Sequence, residues 1–152
     1  MRSKAPLVLM EQAVMVLVFA LAAALCLRAF VWSDQLSRQN EARDRALLEV
    51  QNAAEALKHT GGDMAHAQEE AARRLGGQVS QGLWYVFYDE TWSVTDQERA
   101  VYRLEAQGEP SEVTGLCQAR VRVMPERDPE ASALAELTVA WQGEADLSLI
   151  HI

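Results

Sequence analysis

A chain of 152 residues with an apolar N-terminus leaves about 115 for a soluble core, room for one domain of ordinary size. The formal charge is −8 at pH 7, and residues 33–146 carry 21 acidic side chains against 11 basic ones, a balance of −10 that argues against binding nucleic acid. Cys26 lies in the apolar run and Cys117 far beyond it, so there is neither a disulfide framework nor a CxxC pair for zinc.

From residue 5 to residue 27 only Glu11 and Gln12 are polar. As an α-helix this stretch is about 35 Å long, enough to cross a bilayer. A cleaved secretory signal is the competing reading, since Arg2 and Lys4 precede the run and Ala22, Ala23 and Ala24 offer small residues. Against it stand the length of the run, the carboxylate inside it, and LCLRAFVW at 25–32, which carries the apolar helix past any such cut. The pattern predicts a single transmembrane helix over 7–32, with Arg28 at the far headgroup boundary and Phe30 and Trp32 in the interfacial belt. Charge does not orient it, because Arg28, Arg38, Arg43 and Arg45 on one side outnumber Arg2 and Lys4 on the other.

No Gly or Pro interrupts 7–60, and Leu36, Leu47, Val50, Ala54 and Leu57 fall on one apolar stripe. One helix from Leu7 to His59, amphipathic in its distal half, follows. Gly61 and Gly62 end it, and Asp63 caps a second helix, MAHAQEEAARRL, which Gly76 and Gly77 stop. Beyond Gly82 the period becomes two. WYVFYD (84–89), AVYRLEAQ (100–107), LCQARVRVM (116–124) and ALAELTVAW (133–141) read as strands separated by turn-prone stretches. In the third, Cys117, Ala119, Val121 and Val123 alternate with Gln118, Arg120 and Arg122, which makes one face covered and one wet. The expected fold is α+β: a long N-terminal helix, a short second helix, then a four-stranded antiparallel meander within a soluble domain at 33–146, packed on the distal half of the first helix.

Few groups carry chemistry. His59, Asp63 and His66 are close in sequence, but Gly61 and Gly62 break the helix that would align them, and they read as polar residues flanking a turn. The chain has no Gly-rich phosphate loop and no Ser-His-Asp or Cys-His order. No enzyme, cofactor or metal site is expected. Trp84, Tyr85, Phe87, Tyr88 and Trp92 form an aromatic cluster that is either a ligand platform or core. Alternation separates Tyr85 and Phe87 from Trp84, Val86 and Tyr88, and core packing is the preferred reading.

Glu11 is the residue that calls for an explanation. An ionised carboxylate in hydrocarbon costs about 2.5 kcal/mol or more, so it is paired, hydrated or close to an interface. Snorkelling to the headgroups is the plain alternative, although Leu7, Val8, Leu9 and Met10 set Glu11 inside the apolar run. A short basic leader, an apolar stretch with an early glutamate, and an unbroken helix that turns amphipathic together resemble the N-terminus of type IV pilins and type II secretion pseudopilins. The likeness is close over the leader and apolar helix, and the order of helix then meander is similar in kind.

The resemblance implies a structural subunit, a minor pilin or pseudopilin, held in a bacterial cytoplasmic membrane with its soluble domain extracytoplasmic. It implies a prepilin peptidase that removes residues 1–6 by cutting between Pro6 and Leu7 and methylates the new amine. It also implies that Glu11 pairs with the N-terminal ammonium of a neighbouring subunit, so the partners are other pilin-like subunits and membrane lipid. Pro6 stands where that family carries glycine, and a proline lacks the N–H that a protease-bound strand offers, so slow or absent cleavage is expected. The alternative is a single-pass scaffold of the cell envelope that pairs with partner helices and forms no filament. The last six residues, LSLIHI at 147–152, resemble the translated transposon end of a sequencing library and are set aside from the fold, leaving the natural sequence beyond Asp146 open.

Overall fold

The structure is a computed structural model that describes residues 5–128 and 130–143, with side chains from Leu7 onward. The segment 147–152 lies outside the described residues. Helix α1 spans Ala5–Thr60 and helix α2 spans Met64–Leu75. The strands follow as β1 (Gln78–Ser80), β2 (Leu83–Tyr88), β3 (Tyr102–Glu109), β4 (Leu116–Pro125) and β5 (Ala135–Gln142). The chain divides into two compact units between Glu41 and Ala42.

In the second unit the five strands form one sheet in sequence order, each antiparallel to its neighbour, so the α+β class holds. The strand count does not: there are five strands where four are expected. The extra one, β1, has all three residues exposed and so lacks the buried alternation that marks a strand in sequence. It is made by its turn. Ser80 pairs with Leu83 across a two-residue loop in which Gln81 and Gly82 have φ of 51° and 76°, the signs a right-twisted hairpin requires.

Register explains the core. Trp84 lies opposite Ala106, which lies opposite Val121, while Val86, Leu104 and Val123 form the next row. A large ring facing a small side chain lets the layer close without a void. These residues join Trp141 of β5, Ala67 and Ala71 of α2, and Ala46, Val50, Ala53 and Leu57 of α1 in one buried cluster. The helix stripe is therefore rotated from the expected one. Val50, Ala54 and Leu57 are buried as expected, but Leu36 and Leu47 are 49% and 44% exposed, and Ala46 and Ala53 take the central places. Alanines permit a closer helix-to-sheet approach than leucines would, and the steps 46, 50, 53 and 57 keep them on one face.

Three polar side chains fasten the helical connections. Asp63 accepts the backbone N–H of His66 at 2.7 Å and caps α2. Trp84 Nε1 donates to the Gly76 carbonyl at 3.0 Å, just past α2. Trp141 Nε1 donates to the Gly62 carbonyl at 3.1 Å, tying the α1–α2 turn to the end of β5.

Candidate functional site

In the first unit every described side chain from Leu7 to Glu41 is exposed. Leu7, Leu9, Met10, Phe19, Phe30 and Trp32 are each at least 70% exposed. Exposed apolar rings and chains along 7–32 are unfavourable in water, so this stretch favours an apolar surrounding. The apolar part of α1 is long and apolar enough to cross a membrane, and none of it is buried within the chain.

Glu11 sits on this surface four residues beyond Leu7, with no ion pair or hydrogen bond among the described residues. Pro6 and Leu7 fall in the first turn of α1, where a proline costs the helix no hydrogen bond. Arg28 and Trp32 are one turn apart and line a shallow groove with Leu25 and Ala29. At 1.5 Å per residue, Arg28 lies about 26 Å along the axis from Glu11 and about 32 Å from Leu7, close to the thickness of a bilayer core.

The second unit carries a charged lattice on the outer sheet face that the alternation of Arg120 and Arg122 announces only in part. One row crosses all five strands as Gln78, Tyr85, Glu105, Arg122 and Glu136. Glu105 is 7% exposed, and its carboxylate accepts from Arg122 Nε and Nη2 at 3.0 and 2.9 Å while Arg103 Nη2 lies 2.9 Å from its other oxygen. Two guanidiniums thus compensate one buried carboxylate. Arg120 bridges Glu109 and Glu136 alongside.

The aromatic cluster splits as the alternation requires. Trp84, Val86 and Tyr88 are buried in the core, while Tyr85 and Phe87 are half-buried on the outer face. Trp92, in the loop after β2, stacks on Tyr102 at 4.3 Å with ring planes 9° apart, although its own φ is +62°. Asp89 holds that loop, its Oδ1 accepting from Thr91 N, Thr91 Oγ1 and Ser93 N at 2.8, 2.7 and 3.0 Å. The Thr91 hydroxyl, then the Ser93 amide, hold the Asp89 carboxyl below its usual range.

Of the three residues around the helical turn, Asp63 spends its carboxylate on the α2 cap, and His59 and His66 are exposed on separate helices. A groove between the ends of α1 and α2 is lined by Asn52, Glu55, Lys58, His59 and Arg74. Its basic groups sit in the last turns of their helices, where a cation complements the helix dipole, and this accounts for them. No family model, curated protein or solved structure matches this chain.

Proposed function

We propose that this chain is a structural subunit, of the type IV pilus or type II secretion kind, that assembles into a filament through its N-terminal helix. The observation that carries the reading is the uncovered apolar stretch of 7–32 bearing Glu11, continuous in α1 with a segment that helps form the core of an α+β domain. A helix that finds no cover in its own chain is covered by lipid before assembly and by the same helix of other copies after it.

The spacing supports a use for Glu11. With Arg28 at one headgroup boundary, an amine on Leu7 lies at the opposite one, hydrated, and Glu11 lies one turn inside. Assembly removes both charges from water, and an axial offset between copies brings the carboxylate of one chain to the ammonium of the next. The pair offsets the cost of desolvation and fixes the offset. Filament formation is then specified by one charge pair in an otherwise non-directional apolar contact.

Pro6 favours a second reading, in which the leader stays and the protein is a single-pass scaffold whose helix pairs with partner helices without forming a filament. Crosslinking separates the two. Two cysteines per chain, placed on different helix faces near residue 20 on a Cys26→Ser, Cys117→Ser background and oxidised in native membranes, are expected to give a ladder of trimers and larger species. A pattern that stops at dimers, or is absent, favours the scaffold.

A further inference from the structure

Tyr85 and Phe87 take no part in the core or in the apolar helix. Their ring centroids lie 5.4 Å apart with planes at 63°, a bent aromatic floor on the outer face of β2. Around it is a concavity of about 330 Å³, walled by Gln78 of the edge strand β1 and by Val94, Thr95, Asp96 and Gln97 of the β2–β3 connection. We infer that this concavity is a binding site for a neutral pyranose unit of a glycan. The inference does not rest on the filament reading, since a scaffold would carry the same site.

The lining selects the ligand class. It contains no Lys, Arg or His, and Arg103, opposite Phe87 on β3, is already engaged by Glu105 and Glu126, which together disfavour an anion. Its one carboxylate, Asp96, has Oδ2 3.3 Å from Arg99 Nη2, which disfavours a cation. What remains is aromatic surface beside amides and a hydroxyl. The C–H face of a pyranose carries partial positive charge and stacks on the negative face of an aromatic ring. Its hydroxyl rim both donates and accepts, and so do the side-chain amides of Gln78 and Gln97.

The site is held in shape before any ligand arrives. Tyr85 donates its hydroxyl proton to Gln78 Oε1 at 3.2 Å, which fixes ring and amide together and leaves the Gln78 amide protons for a ligand. Gln97 Nε2 donates to Glu126 Oε1 at 3.3 Å. The wall is fastened to the floor strand, because Thr95 N–H donates to the Phe87 carbonyl at 2.9 Å. Such bonds lower the ordering cost of binding. A proline-rich peptide also docks on aromatic grooves, and it is the competing occupant that the test separates.

The test uses the full chain in lipid nanodiscs, prepared without sugar-headed detergent, with chitotriose, cellotriose, maltotriose and a proline-rich peptide as probes. At least one trisaccharide is expected to bind with Kd of about 1 mM, with saturation-transfer NMR signals concentrated on the C–H groups of one ring face. Phe87→Ala and Tyr85→Ala each weaken that binding about tenfold, and Tyr85→Phe, which keeps the ring, weakens it by less than about threefold. Gln97→Ala, on the exposed rim, weakens it several-fold with an unchanged thermal melt. Absence of binding by all three trisaccharides at about 20 mM, undiminished binding in both Phe87→Ala and Gln97→Ala, or binding of the peptide alone overturns the inference.

Discussion

Gln68 is 1% exposed in an apolar interface, and its Nε2 donates to the carbonyls of Gly82 at 2.9 Å and Ala106 at 3.0 Å. It joins α2 to the β1–β2 turn and to β3. Gln68→Leu keeps the volume but leaves the buried Ala106 carbonyl without this donor, and it is expected to cost about 1 to 3 kcal/mol in a denaturant melt. Tyr88 tests the other side of the core. Its hydroxyl donates to Glu49 Oε2 at 3.3 Å, and burial first, then the Glu49 charge and that hydrogen bond, push its pKa well above the ordinary 10.0. An unfolded chain releases this proton near pH 10 while the folded chain keeps it, so the stabilisation is full below pH 10 and is lost as pH rises above it. Melting temperature should fall between pH 10 and 11, with the slope reduced in Tyr88→Phe, whose phenyl ring does not titrate. Neither role is legible in the sequence. Gln68 sits among other polar helix residues in MAHAQEE, and Tyr88 ends an aromatic run whose alternation tells its face and not its partner.

At the scale of elements, α1, α2 and four of the strands were legible because each carries its own period and its own stop signal. The Asp63 cap and the Gly76 terminator bound α2 where the sequence puts them. The strand β1 was not legible, since its place comes from a turn and a close approach. Gly77 has φ +88°, and a Cβ there would run into the Tyr85 carbonyl and approach Val86 Cγ2 to 2.7 Å. Gly77→Ala is therefore expected to cost at least about 2 kcal/mol and to lose amide-exchange protection along 78–80 before the rest of the sheet. The helix stripe was legible in period and misplaced in phase, because Leu47 looks more core-like than Ala46 or Ala53 until the sheet demands small residues. Leu47→Ala should accordingly change stability by less than about 0.5 kcal/mol, whereas Leu57→Ala should cost about 2 to 5 kcal/mol.

At the scale of the whole molecule, the core needs its helix. A fragment of residues 33–146 is expected to be a monomer that melts cooperatively, and one beginning at Gly77 is expected to fail, because Trp84, Val86, Val121 and Val123 would lose the cover of α1 and α2. The uncovered apolar helix was legible from composition alone, and so was the anomaly of Glu11 within it. The partner proposed for Glu11 is a second copy of the chain, which neither the sequence nor the fold of one chain can display. The most direct measurement is the crosslinking ladder from cysteines near residue 20 in membranes, compared between wild type, Glu11→Gln and Glu11→Ala with membrane insertion checked in parallel. The account predicts normal insertion of all three, an intermediate ladder for Glu11→Gln and near loss of it for Glu11→Ala, since an unpaired buried ammonium costs about 3 to 5 kcal/mol. An unchanged ladder in a fully inserted Glu11→Ala chain would contradict it.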